Sequence, residues 1–304
     1  MACSGRVNRG LHDALKNSAL TSFVRALLVL GRVSNLPTVW SNCLAGWWLG
    51  GGGNTRKLPF IFIGATFLYV GGMFLNDAFD VEFDREHRKE RPIPSGTITV
   101  DAVFFWGFAW LVLGIISVFC AGIVTGSIGV SLACLIVLYD WLHKRISFAP
   151  VLMGVCRFFL YVIAAAVADK GVTGWAIWCG LALGLYVIGL SYFARIESAP
   201  GALRYWPLLP LVAPVLLAQF INADGAREGA LLLSGILVLW MVKCLRYGFW
   251  TSDRNIGRTV SGLLAGIVFV DWLAVGPDAP RALGLIFVGC FLAALGFQRF
   301  VPAT

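Results

Sequence analysis

The apolar positions along this chain fall in long unbroken runs rather than in stripes. KLPFIFIGATFLYVGGM, ending at Met73, and VFFWGFAWLVLGIISVFCAGIV, ending at Val124, carry almost no charge apart from the first lysine. A helix crossing the hydrocarbon core of a bilayer needs about 20 such residues. Runs of this kind predict spans at 22–50, 58–80, 101–123, 126–143, 148–168, 175–194, 205–222, 229–248, 258–275 and 281–300. The expected architecture is all-α: a polytopic membrane helical bundle of about nine transmembrane helices plus a C-terminal tenth apolar segment. Segments of about ten alternating residues, the mark of a membrane β-barrel, do not occur. Glycines and prolines inside several runs are normal for membrane helices. The expected organisation is a basic cytoplasmic N-terminal segment, 1–21, and a single membrane-embedded domain, 22–304. Arg6, Arg9 and Lys16, followed by a long apolar run with no small-residue cleavage site, argue against a signal peptide.

Composition agrees with the pattern. Of 304 residues, 59% are apolar and 13% charged, where a soluble domain has about half and about a quarter. The eight cysteines are not spaced as metal pairs or as a disulfide framework and read as small buried hydrophobes. The net charge of +8 invites a nucleic-acid reading. It sorts instead by side of the membrane. One side holds the N-terminus, Arg85, Arg88, Lys89, Arg91, Lys144, Arg145, Arg195, Arg204, Lys243, Arg246, Arg254 and Arg258; the other holds Arg56, Lys57, Lys170, Arg227 and Arg281. The positive-inside rule makes the richer side cytoplasmic. Orientation thus accounts for the charge, and no nucleic-acid partner is expected. The expected location is an integral multi-pass protein, in the plasma membrane, with the active side facing the cytoplasm.

That side carries more than topology needs. FLNDAFDVEFDREHRKERPIPSG, Phe74 to Gly96, follows the second span directly. Asn76, Asp80 and Asp84 are spaced i, i+4, i+8, which on a helix places them on one face, drifting about 40° per step. Asp77 lies beside them. Clustered carboxylates repel one another unless they share a cation, and near a membrane cavity they are costly without one. Oxygen ligands suit Mg²⁺, which keeps water and substrate phosphates in the rest of its shell. Arg88 and Arg91 follow within two turns. Guanidinium groups grip phosphate oxygens in a bidentate fork. The prolines of RPIPSG stiffen the backbone behind Arg91, and Gly96 permits a turn.

Other polar groups stand inside or at the ends of spans. Arg32 and Asn35 lie in GRVSNLP in the first span, with Pro37 expected to kink the helix; intramembrane polar groups usually face the bundle interior. Lys144 and Arg145 end the fourth span in YDWLHKR and either snorkel to the interface or close a phosphate pocket. His143 alone says little. Arg157 sits just inside the fifth span and, with Arg32 and Asn35, is expected to bind substrate. Arg195 and Glu197 end the sixth in SYFARIES. Asp271, alone in VFVDWL, reads as a buried hydrogen-bonding residue.

NDAFDVEFD, read as N-D-x-x-D-x-x-x-D, with ERPIPSG behind it, resembles the first aspartate-rich motif of the UbiA superfamily of intramembrane prenyltransferases. The polar RVSN of the first span, the Y…KR end of the fourth and the number of spans are also similar, over roughly 22–275. Around the motif the chain is similar to the branch that includes archaeal ether-lipid synthases. The resemblance implies Mg²⁺-dependent transfer of an isoprenoid chain from a prenyl diphosphate to a small acceptor, aromatic or other, within the bilayer. It implies Asn76, Asp77, Asp80 and Asp84 as the metal–diphosphate site and Arg91, Lys144 and Arg145 as its basic partners. The family has a second aspartate-rich motif after its sixth span, where SYFARIES offers only Glu197. Either Glu197 keeps a metal contact or Arg195 replaces a cation on the diphosphate. A CDP-alcohol phosphotransferase is not indicated, because its D-G-x-x-A-R run is missing. The alternatives are a transporter with an acidic cation site and a catalytically inactive isoprenoid-binding member.

Overall fold

The computed structural model describes residues 22–53, 55–198, 205–221, 227–250, 254–277 and 279–303, leaving aside the side chains of 196–198 and 221. All the regular structure among them is helical. After α1 (22–30) come α2 (Leu36–Leu49), α3 (Leu58–Phe79), α4 (Val81–His87), α5 (Val100–Ala121), α6 (Ile123–Leu142), α7 (Ala149–Ala165), α8 (Gly174–Ser198), α9 (Leu208–Leu211), α10 (Ala213–Ile221), α11 (Arg227–Phe249), α12 (Ile256–Val275) and α13 (Arg281–Phe297). Six described helices are long and apolar enough to cross a membrane, and three more apolar helices, Ala149–Ala165, Leu208–Phe220 and Arg281–Phe297, are shorter. The chain is an integral multi-pass membrane protein.

Two expected spans differ from the sequence reading. The run 22–50 is not one helix: Arg32 adopts the left-handed conformation, φ 40°, and a 3₁₀ turn over Val33–Asn35 separates α1 from α2. Pro37 therefore does not kink a helix. It lies in the first turn of α2, where its missing N–H costs nothing. The run 205–222 is likewise divided, into α9 and α10 around Val212, beside Pro210 and Pro214. Residues 1–21 lie outside the described residues.

Close helix contacts follow from small residues. Gly64 and Gly71 of α3 face Gly107 and Gly114 of α5. A Cβ at Gly71 would lie 2.8 Å from the Gly107 carbonyl, and one at Gly114 2.9 Å from the Leu68 nitrogen. Small residues are the usual means of bringing membrane helices together. Gly122, φ 156°, makes the reversal between α5 and α6 with no intervening loop. One apolar core joins α2, α3, α5, α6 and α7, and another joins α2, α7 and α8 to α10–α13. Exposed Phe105, Ile116, Leu239 and Leu285 face outward, as lipid-facing residues do.

The ends of α3, α6 and α8 meet. Asp80 at the end of α3 contacts His143 after α6, and Arg195 of α8 donates to carbonyls of the 143–147 loop. This junction holds the polar constellation.

Candidate active site

The acid row survives a break in its helix. Asp80 both ends α3 and precedes α4, with ψ near 0°. The backbone bonds Asp80 N to Asn76 O, 3.0 Å, and Asp84 N to Asp80 O, 2.9 Å, carry the i, i+4 spacing across it. Asn76, Asp77, Asp80 and Asp84 are all buried.

Basic groups from three separate segments meet this row. Arg91 Nη1 donates to Asp77 Oδ1 at 2.9 Å and to Asp84 Oδ2 at 2.8 Å. It reaches back because the RPIPSG segment folds into consecutive turns: Ser95 N bonds Arg91 O, Gly96 sits at φ 75°, and Ile93 and Ile98 are buried against Leu30, Phe74 and Val103. Arg32 Nη2 lies 3.3 Å from both Asn76 Oδ1 and Asp77 Oδ1, aimed there by its left-handed backbone. His143 Nε2 lies 2.9 Å from Asp80 Oδ1, and Lys144 Nζ 3.3 Å from Asp80 Oδ2. Lys144 Nζ also sits 3.8 Å from the centre of the Phe83 ring, a cation–π contact. The other ring nitrogen of His143 faces the Asp140 carbonyl at 2.9 Å. Both ring nitrogens thus face oxygen atoms.

These partners set the electrostatics. Burial pushes the Asp80 carboxyl up, but the bonds and charges of His143 and Lys144 outweigh it and hold Asp80 below its ordinary value. Burial also pushes Asp84 up; Arg91 opposes, Asp77 and Asp80 add repulsion, and the net displacement is upward. Among the described residues, Asp80 Oδ1, Asp84 Oδ1 and Asp140 Oδ2 are buried without a hydrogen-bond partner, Asp80 Oδ1 being met only by the His143 ion pair.

The structure brings together Asn76, Asp77, Asp80, Asp84, Arg32, Arg91 and Lys144, and leaves the other expected residues elsewhere. The Arg88 guanidinium lies over the Phe83 ring at 5.9 Å, and among the described residues its side chain makes no ion pair with the acids. Arg145 is exposed and stacks over Trp141 at 5.3 Å, the snorkelling outcome. Asn35 Nδ2 donates to the Ala303 carbonyl at 3.0 Å, so it holds the end of the chain instead of facing the acid row. Arg157 is buried deeper, donating to Asn42 Oδ1 at 2.7 Å. Arg195 does not point at the acid row: it donates to the carbonyls of Ser147 at 2.8 Å, Ile146 at 3.0 Å and His143. It steadies the loop that supplies His143 and Lys144. The side chain of Glu197 lies outside the described residues.

Two site members escaped the sequence reading. Asp140 Oδ1 accepts from Asn76 Nδ2 at 3.1 Å, and His143 binds Asp80. Their signal was the spacing of Asp140, His143 and Lys144, i, i+3, i+4, which puts all three on one face at the end of α6.

No three carboxylate, imidazole or thiol groups among the described residues converge on a single point fit for a metal ion. The donor chemistry nevertheless suits one. Every group on the row offers hard oxygen, and Asp84 Oδ1 has no internal partner.

The UbiA prenyltransferase family model matches residues 34–205. The chain is 35% identical over 249 residues to the digeranylgeranylglyceryl phosphate synthase of Methanosarcina mazei, covering 79% of this chain and 82% of that protein. It is 36% identical over 180 residues to the synthase of the same name from Methanothermobacter thermautotrophicus, covering 54% and 60%. A solved digeranylgeranylglyceryl phosphate synthase structure aligns over 93% of this chain and 99% of its own length, with a TM-score of 0.57 and 19% identity, and so shares its fold. A motif built on Asn76, Asp80 and Asp84, the helical bundle and these matches lead to one assignment: the chain belongs to the UbiA prenyltransferase family and is an enzyme of prenyl transfer within the membrane.

Proposed function

We propose that the acid row and its cations bind the diphosphate of an allylic prenyl diphosphate, and that the prenyl chain passes to the oxygen of an alcohol acceptor, releasing diphosphate and the hydroxyl proton. One observation carries this reading. Asp77, Asp80 and Asp84 are each held by a cation delivered from another segment, Arg91 or Lys144. A diphosphate entering the site offers the same cations stronger oxygen partners. The names of the relatives support an alcohol in place of an aromatic ring, since a glyceryl phosphate is what those enzymes prenylate.

Asn76, Asp77, Asp80 and Asp84 are the residues that would hold Mg²⁺. Bound there with the substrate, Mg²⁺ supplies positive charge against the departing diphosphate. The chain's own groups act on the same charge. Arg91, Arg32, Lys144 and His143 surround the leaving group with donors fixed before it arrives, so little reorganisation accompanies C–O cleavage. The walls of Leu68, Met73 and Leu160, beside the row, keep water from the place where donor and acceptor meet. Arg195 acts through the 143–147 loop. We place this end of the bundle on the cytoplasmic side because most Lys and Arg residues flank it. Family membership does not favour a transporter or an inactive member.

The test is product identification. Purified protein with Mg²⁺ and geranylgeranyl diphosphate is offered geranylgeranylglyceryl phosphate or 4-hydroxybenzoate, and products are identified by mass. The expected product is the diether of the glyceryl phosphate. A prenylated hydroxybenzoate alone overturns the alcohol assignment.

A further inference from the structure

A cavity of about 540 Å³, partly open, lies between α3, α6 and α7. Its walls are largely apolar, with Leu68, Met73, Ile136 and Leu160 among them. Gly72 keeps it open on the α3 side: a Cβ there would strike Ile136 at 2.7 Å. Asp140 stands in this wall.

Asp140 is only 3% exposed, yet half of its carboxylate is unsatisfied. Oδ1 accepts from Asn76 Nδ2 at 3.1 Å, whereas Oδ2 is buried without a hydrogen-bond partner. An orphaned buried acceptor is costly to keep from water or a donor. Among the described residues no ion pair relieves it: those of Arg32, Arg91, His143 and Lys144 run to Asp77, Asp80 and Asp84. Asn76 divides the two regions. Its carbonyl oxygen faces Arg32 on the diphosphate side, and its amide nitrogen faces Asp140 on the cavity side. Asp140 therefore stands where a ligand in the cavity would come closest to the diphosphate row.

We propose that Asp140 binds the hydroxyl group of the prenyl acceptor, holding it at the Asn76 end of this cavity. The inference rests on the prenyl-transfer reading above and adds a second substrate site to it. Apolar walls take the rest of an amphiphilic acceptor. With Oδ2 as an acceptor, an O–H group in the cavity gains a hydrogen bond that an ether oxygen in the same place does not.

Two variants separate this role from a structural one. Asp140→Asn keeps an oxygen for Asn76 and turns a donor toward the cavity; Asp140→Ala removes both contacts. The probes are geranylgeranyl diphosphate with Mg²⁺, geranylgeranylglyceryl phosphate as acceptor, and its O-methyl ether as a competitive ligand. In Asp140→Asn the KM for the acceptor rises about tenfold, as loss of one hydrogen bond of about 1.4 kcal/mol requires. The wild-type preference for the hydroxyl compound over its methyl ether disappears. Binding of geranylgeranyl diphosphate stays within about twofold, the spread a hydrogen bond not made to it leaves. Asp140→Ala shows the same KM effect, with added loss of thermal stability. The inference is overturned if geranylgeranyl diphosphate binding falls as far as the acceptor KM rises, or if neither changes in either variant. Wild-type protein that binds the diphosphate but does not turn over the acceptor also overturns it, leaving the diphosphate site standing. Wild-type protein that binds no prenyl diphosphate overturns the prenyl-transfer reading itself.

Discussion

Asp271 and Asp80 are carboxylates in the same bundle, 0% and 5% exposed, and they are satisfied in opposite ways. Asp271 receives four hydrogen bonds from neutral groups: Ser41 Oγ at 2.5 Å, Asn42 Nδ2 at 2.9 and 2.8 Å, and Tyr161 OH at 2.6 Å. These donors belong to α2 and α7, so the cluster ties three helices together and leaves the carboxylate no open position. Asp80 is met by His143 and Lys144, and the neighbouring Asp84 by Arg91, all from loops or helix ends. Neutral donors locked in a helix interior make a structural joint. Cations on loops make a site, because a stronger anion can draw them away.

Single substitutions sharpen that contrast. The largest effect on turnover falls on the second centre. Asp80→Ala is expected to lower prenyl transfer by on the order of a hundredfold or more, the scale of losing a preorganised charge partner, with little change in the melting temperature in detergent. Asp271→Ala is expected to do the reverse. Its three donor residues lose their acceptor, costing on the order of 3 kcal/mol, while the KM for prenyl diphosphate in the surviving folded protein is unchanged. A melting curve and a steady-state assay on both variants check the pair; equal effects on stability and turnover would erase the distinction.

Smaller effects probe the supports. Arg195→Ala frees the carbonyls of the 143–147 loop and is expected to raise the KM for prenyl diphosphate about fivefold, the scale of about 1 kcal/mol for a loosened contact. Arg195→Lys should recover only part, since one ammonium does not reproduce a planar fork over three carbonyls. Arg145→Ala is expected to change turnover by less than about twofold, as an exposed charge does; a tenfold loss would bring Arg145 back into the site.

Much of this was legible in the chain. The long apolar runs fixed the class of the molecule, and the i, i+4, i+8 spacing located Asn76, Asp80 and Asp84. Spacing finds neighbours on one helix. It does not show which helices meet, so the shared face of Asp140 and His143 at the end of α6 was not tied to the acid row, and Arg195 was expected on a phosphate. Hydropathy also does not report backbone breaks. The run 22–50 stays apolar through Arg32, yet the left-handed residue there is what turns its guanidinium toward Asp77. Arg157 and Asn35 were expected at the substrate site, but the groups they meet, Asn42 and the Ala303 carbonyl, lie 115 and 268 residues away in sequence.

The central claim is that the carboxylate row, with a divalent cation, holds the diphosphate. Equilibrium binding of labelled geranylgeranyl diphosphate to the purified protein tests it most directly, measured with Mg²⁺, with EDTA, and with Mg²⁺ on the Asp80→Ala variant. Saturable binding to wild-type protein that is lost with EDTA and lost in the variant is the expected result. Equal binding in all three conditions would contradict it, placing the prenyl diphosphate somewhere other than the end of α3.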